Sequence, residues 1–231
     1  MTINTKTLAA IDIGTNAIRL FISNVEEYPT ETLFKKIAFL RVPIRLGEDV
    51  FTTGEIGQQK RKRLCETMQG FSYIMSAFNV ESYKAYATCA MREARNGKSV
   101  AEQIQKECDL NIEIISGTKE AETIFAGGMN EVVDDDKTYL YVDVGGGSTE
   151  VIVYSKSVKV EACSFPLGTV RMLNDAVDKE EMKHFKKWLK NITEKYTPDA
   201  IIGSGGNINK IHKLLNKKER ERITYQELDI L

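Results

Sequence analysis

The feature that most constrains this chain is a single turn. Leu140-Tyr141-Val142-Asp143-Val144 runs into Gly145-Gly146-Gly147-Ser148-Thr149-Glu150 and out again through Val151-Ile152-Val153. β-Branched and aromatic residues on either side predict two strands, and the glycines predict the tight turn that joins them. Three residues without Cβ atoms let backbone N–H groups approach an anion, and Ser148 and Thr149 add hydroxyl donors. This is the composition of a phosphate cradle. Asp143 stands just before the turn, where a carboxylate can hold a hard cation; Glu150 stands just after it, where a second can help hold the cation or orient a water. Alone, the stretch reads equally well as an ordinary Gly-rich hairpin.

The same grammar appears near the N-terminus, in Leu8-Ala9-Ala10-Ile11-Asp12-Ile13-Gly14-Thr15-Asn16-Ala17-Ile18-Arg19-Leu20-Phe21-Ile22. Gly14, Thr15 and Asn16 take the place of the glycine turn, and Asp12 takes the place of Asp143 as a candidate cation ligand. Two further features recur in order. Ile44-Arg45-Leu46-Gly47 is echoed by Phe165-Pro166-Leu167-Gly168, and Tyr86-Ala87-Thr88-Cys89-Ala90 by Ile201-Ile202-Gly203-Ser204-Gly205-Gly206. Three features in register predict an internal duplication: an N-terminal domain over 1–120 and a second over 121–231, with both Asp-bearing turns facing one ligand across a central cleft.

Composition narrows the classes. The formal net charge is −1 over 231 residues, so no broad polyanion-binding surface is expected, nucleic acid is not an expected partner, and any anion site must be local. Cys65, Cys89, Cys108 and Cys163 show neither metal-ligand spacing nor a disulfide framework, and only His184 and His212 are available for a zinc site. No apolar run reaches membrane-spanning length and no signal peptide is visible, which predicts a cytoplasmic protein with no membrane partner.

Along the chain, 33–43 reads as a third strand, 45–50 as a turn, 53–78 as a helix with Ile56, Leu64, Met68, Phe71 and Met75 on its buried stripe, and 82–87 as a strand. Arg92 falls at a helix start, where a guanidinium can grip a phosphate or pair with a nearby acid. Helix 100–108 and strand 112–115 lead to Ser116-Gly117-Thr118-Lys119-Glu120-Ala121-Glu122, in which Ser116 or Thr118 caps a new helix and Glu120 sits in its first turn. The residues alone do not choose between capping and catalysis there. Asp134-Asp135-Asp136 reads as an exposed turn. Helices are predicted over 169–176 and 179–196. Gly205 and Gly206 open a last helix, an arrangement suited to phosphate.

Ile11-Asp12-Ile13-Gly14-Thr15-Asn16, Arg45-Leu46-Gly47-Glu48, Ala87-Thr88 through Arg92-Glu93-Ala94, Ser116-Gly117 with Glu120-Ala121, Val142 through Glu150, and Gly203-Ser204-Gly205-Gly206 occur in one order from about Ala9 to Leu215. Together they resemble the Ppx/GppA family of exopolyphosphatases and guanosine pentaphosphate phosphatases. The resemblance implies an α/β fold of two duplicated actin-like domains, of the ribonuclease-H type shared with sugar kinases and Hsp70 (the ASKHA superfamily). It also implies hydrolysis of terminal phosphoanhydrides with Mg²⁺ or another divalent cation, acting on polyphosphate or a guanosine polyphosphate nucleotide. Carried over by motif, Glu120 falls on the family's proposed catalytic base, Asp143 on its metal-associated carboxylate, Glu150 on the acid ending the glycine loop, and Arg92 on a phosphate-contacting position.

Two departures stand out. Lys119-Glu120-Ala121-Glu122 replaces a common Glu-Glu-Ala-Arg, changing the charge beside the proposed base. Family members usually continue further, so the second domain is expected to be incompletely covered. A weakly active or non-catalytic binder of polyphosphate or guanosine tetra- and pentaphosphate, and a kinase-like member of the same superfamily, are the alternative readings. A homodimer is left open.

Overall fold

The computed structural model describes residues 4–126, 134, 136–156, 158–218 and 221–231. The chain divides into two compact units, Met1–Ser116 with Leu173–Ala176, and Gly117–Met172 with Val177–Leu231. The division falls just before the helix that carries Glu120, so that residue belongs with the second unit.

The first unit is built on β1 (Asn4–Ile13), β2 (Ile18–Glu27), β3 (Thr32–Val42), β4 (Ser82–Ala87) and β5 (Glu113–Ile114), in the order β3-β2-β1-β4-β5. The first three strands pair antiparallel; β1/β4 and β4/β5 pair parallel. Alternation decides which way each strand faces. Ile11, Ile13, Ile18, Leu20 and Ile22 are buried in one core with Leu64, Met68 and Phe71 of α2 (Gln58–Ala77) and Val100 and Ile104 of α4 (Gly97–Cys108). The intervening residues, among them Asp12, Arg19, Phe21, Phe39 and Arg41, lie on the other face, where Phe39 is 55% exposed.

The expected turn at 45–50 is instead the start of a helix, α1 (Leu46–Thr53). Arg45 adopts a positive φ of 59° ahead of it, Leu46 and Val50 are buried, and Glu48 and Asp49 occupy the first turn, where acids suit the helix dipole. A short α3 (Cys89–Glu93) follows β4.

The second unit repeats the plan. β6 (Thr138–Val144), β7 (Thr149–Ser155), β8 (Val158–Phe165) and β9 (Ala200–Ser204) run in the order β8-β7-β6-β9, antiparallel for the first two pairs and parallel for β6/β9. This matches β3-β2-β1-β4 strand for strand, the duplication predicted from the turns. Helix α5 (Gly117–Ala126) places Ala121 against Tyr139, Tyr141, Ile152 and Tyr154 on one face. The opposite face holds Leu140, Val151, Val153 and Phe165 against α7 (Lys179–Tyr196), whose Phe185 and Trp188 meet the Phe165 ring edge-on. Sandwiched this way, β7 is buried on both faces over six of its seven residues. Helix α6 is shorter than expected, Thr169–Leu173, and α8 (Gly205–Leu214) follows β9 as α3 follows β4. Asp134 pairs with Lys137; Asp135 lies outside the described residues. Among the described residues no helix is long and apolar enough to cross a membrane.

Candidate active site

Each glycine-bearing turn is held by the segment that echoes its partner's. In the second unit the carbonyls of Gly145 and Gly146 accept the backbone N–H groups of Thr169 (3.0 Å) and Val170 (2.8 Å), and that of Gly147 accepts Arg171 Nε at 2.9 Å. Gly168 makes this approach possible: a Cβ there would lie 2.4 Å from the Gly146 carbonyl carbon and oxygen and the Gly147 nitrogen. With the carbonyls tied to one side, the N–H groups of Gly146, Gly147 and Ser148 donate to no protein acceptor among the described residues. Consecutive N–H groups with bound carbonyls form a concavity suited to an anion.

The first unit repeats the device. The Thr15 and Asn16 carbonyls accept from Gly47 (3.0 Å) and Arg45 (2.9 Å), and a Cβ on Gly47 would meet Thr15 Cγ2 at 2.4 Å. The recurring Leu-Gly in the sequence thus has a cause: it is the clamp that fixes each turn.

Beside the second turn, four residues stand level across the sheet: Ser164 of β8, Glu150 of β7, Asp143 of β6 and Ser204 of β9. Level partners project from the same face. Ser164 Oγ donates to Glu150 Oε1 at 2.9 Å, and Ser204 Oγ donates to Asp143 Oδ1 at 2.8 Å while accepting from the Tyr141 hydroxyl at 2.6 Å. Burial pushes the Tyr141 phenol above its ordinary pKa, which keeps it a donor. Gly205 has φ +87°, and a Cβ on it would sit 2.5 Å from Asp143 Oδ1, so the β9–α8 junction is shaped around that carboxylate.

Two level carboxylates, one of them only 1% exposed (Glu150), are hard oxygen donors of the kind that hold Mg²⁺. Among the described residues no group of three or more His, Cys, Asp or Glu side chains forms a metal cage. A cation on Asp143 and Glu150 would complete its shell with water and substrate oxygens, which is usual for Mg²⁺.

Glu120 lies half-buried in the first turn of α5, and its neighbour Ala121 packs on the same sheet face that carries Asp143 and Glu150. Glu122 points elsewhere: Lys159 Nζ donates to it at 2.7 Å and holds its carboxyl below the usual range. The additional acid beside Glu120 is therefore matched by a cation from β8. Arg92 donates from Nη1 to the Ile115 carbonyl at 2.8 Å, bracing the end of β5. In the first unit Arg19 Nη1 pairs with Asp12 Oδ2 at 2.5 Å. Gly206 has open space around its Cβ position.

Arg19, Tyr141, Ser164 and Ser204 were not singled out from sequence. Arg19 had a signal: a four-residue turn over 14–17 sets it opposite Asp12, as Glu150 is set opposite Asp143.

Two copies of one α/β unit, each with an Asp-bearing turn between its first two strands, make this an actin-like protein. A model of the Ppx/GppA phosphatase family matches residues 22–229, and the chain belongs to that family. It is 32% identical over 168 residues to a bifunctional 3-dehydroquinate synthase/phosphatase from Fusobacterium nucleatum, covering 71% of this chain and 25% of that protein. A putative exopolyphosphatase from Haemophilus influenzae is 24% identical, over 99% of this chain and 73% of its own length. Exopolyphosphatase 2 of Mycobacterium tuberculosis is 28% identical, and the chain spans about half (53%) of it. Among solved structures, an exopolyphosphatase from Cytophaga hutchinsonii superposes with a TM-score of 0.80 at 25% identity, covering 96% of this chain and 74% of that one.

Proposed function

We propose that this chain removes terminal phosphate from inorganic polyphosphate by attack of water assisted by a divalent cation. The observation that carries the reading is the Gly145–Ser148 turn, its carbonyls tied back and its N–H groups presented beside two level carboxylates. The names of the Haemophilus and Mycobacterium relatives support polyphosphate as the substrate.

In phosphoryl transfer, charge spreads over the equatorial oxygens of the transferred group, and catalysis is mostly positioning and electrostatics. The N–H groups of Gly146, Gly147 and Ser148 hold the terminal phosphoryl oxygens. Asp143 and Glu150 hold the cation, with Ser204 and Ser164 fixing one oxygen of each. A bound divalent cation supplies positive charge to phosphate oxygens that become more negative as the anhydride breaks. Glu120 accepts a proton from the attacking water; the water oxygen bonds to phosphorus and the bridging oxygen leaves with its electron pair on the shortened chain. The Gly205–Gly206 helix start, beside Asp143, contacts a further phosphate.

The test is phosphate release by Glu120→Gln alongside polyphosphate binding. Loss of a general base lowers turnover by roughly 10²–10⁴-fold, and binding should be kept. Unchanged release by this variant would remove Glu120 from the mechanism. Guanosine pentaphosphate in the same assay tests whether the turn also accepts a nucleotide's terminal phosphate.

A further inference from the structure

The helix-covered side of the first unit's sheet carries a cavity that the phosphate chemistry does not use. It measures about 430 Å³, toward the small end of ligand pockets, which span about 300–1,000 Å³. Two helices line it: Gln58 and Arg61 come from the first turns of α2, and Gln103 and Glu107 from the last turns of α4. Both helices pack on the sheet face that buries Ile11, Ile13 and Leu20, whereas Asp12 and Arg19 project from the other face. The cavity therefore lies across the sheet from the acid of the first turn.

Its charges balance, two cations (Arg61, Lys62) against two anions (Glu66, Glu107). Lys62 and Glu66 answer each other at the exposed rim, 3.9 Å apart. Arg61 and Glu107 do not: neither forms an ion pair among the described residues. Arg61 Nε is buried and has no hydrogen-bond acceptor among them. Buried donors are nearly always satisfied in folded proteins, so one left over marks a place where a ligand group can bond. Glu107 is steadied by Gln103, whose Nε2 donates to Oε1 at 3.0 Å, but meets no cation there. The helix ends share this polarity. Helix α2 begins at Gln58 with no acidic residue in its first turn and no side-chain cap, which leaves its positive end to an anion. Glu107 is the penultimate residue of α4, where the negative end favours a cation.

We propose that this cavity binds a small zwitterion of the α-amino acid class, its carboxylate on Arg61 and the start of α2 and its ammonium on Glu107. Binding there is independent of phosphate hydrolysis. A carboxylate matches the planar donors of a guanidinium in pairs and supplies the acceptor that Nε lacks. The ammonium supplies Glu107 with its cation. A ligand carrying both charges keeps the cavity neutral, whereas a phosphate or a simple carboxylate would set a further anion against Glu107. Gln58 and Gln103 can both donate and accept, so they suit either end of such a ligand.

The experiment is calorimetric titration of the full chain with each proteinogenic L-amino acid, and with propionate and ethylamine as the two half-ligands. At least one amino acid should bind with a Kd below about 1 mM, and propionate and ethylamine should bind about tenfold more weakly. Arg61→Met keeps an apolar stem and removes the donors; Glu107→Gln keeps an acceptor for Gln103 and removes the charge. Each should weaken amino-acid binding about tenfold, while Lys62→Ala, at the exposed rim, should bind as wild type does. Without ligand, Arg61→Met should melt no lower than wild type, because the buried donor it loses has no protein partner. No binding of any amino acid at about 10 mM, propionate binding as tightly as the amino acid, or wild-type affinity in both Arg61→Met and Glu107→Gln would each overturn the proposal. A lower melt for Arg61→Met would do the same, by making Arg61 a structural residue.

Discussion

Gly168→Ala probes the clamp on the Gly145–Ser148 turn. The added Cβ would lie 2.4 Å from three atoms of the Gly146–Gly147 peptide. Those atoms are backbone, with no side chain to swing aside, so the peptide must retreat by about 1 Å to restore ordinary contact. Overpacking of this kind costs about 1–3 kcal/mol, and a backbone obstacle places Gly168→Ala near the upper end. For a chain of this size each kcal/mol moves Tm by about 2–4 °C, so the melt should fall by about 4–12 °C. The function should suffer further, because the retreat strains the bonds from Thr169 and Val170 that hold the Gly145 and Gly146 carbonyls. A misplacement of about 1 Å costs on the order of 10²-fold in rate. Scanning calorimetry and phosphate release on the same preparation read both effects. Gly47→Ala should be milder, since its obstacles are the Thr15 and Phe51 side chains. Gly70→Ala is the control: it lies inside α2 with nothing within 4 Å, so better helix propensity should stabilise it by about 0.5–1 kcal/mol. If Gly168→Ala melted with wild type and released phosphate at the wild-type rate, the clamp would be wrong.

Two further outcomes follow from the second unit's hydroxyl chain and the first unit's core. Ser204→Ala removes the donor that fixes Asp143 Oδ1, so Mn²⁺ affinity by calorimetry should drop about tenfold, as for other groups that orient metal ligands; Tyr141→Phe should show a smaller drop, and wild-type affinity in both would deny the chain a positioning role. Burial, with Glu107 nearby, pushes the Cys65 thiol from near 9 up to about 11. Between those values the unfolded chain gives up the proton and the folded chain keeps it, so stability falls as pH rises through that window, by up to about 1.4 kcal/mol per unit. Melts at pH 8 and pH 10 should diverge more in wild type than in Cys65→Ala; equal divergence would contradict the assignment.

The sequence was most legible where neighbours in the chain are neighbours in space. Both hairpins and their turns could be read because alternation and glycine placement are local signals. The buried stripe of α2 was readable for the same reason: Leu64, Met68, Phe71 and Met75 repeat at helical spacing. Helix α1 was hidden by a glycine at its second position and by Arg45 in a left-handed conformation ahead of it. The partners of the site acids were hidden by distance. Ser204 reaches Asp143 from 61 residues away through parallel pairing of β9 with β6, and no local pattern announces that register. Arg41 meets Arg19 only once β3 is laid beside β2. The turns and the Asp before each were visible in the chain; the residues that stand opposite those acids needed the sheet.

The most direct test of the account is phosphate release from long-chain polyphosphate by this chain as it stands, with and without Mg²⁺. Release should depend on the cation and be lost in Asp143→Asn. Cation-independent release, or a fully active Asp143→Asn, would contradict the assignment of the carboxylate row, and silence of the folded wild-type chain on polyphosphate and guanosine pentaphosphate would contradict the proposed hydrolase.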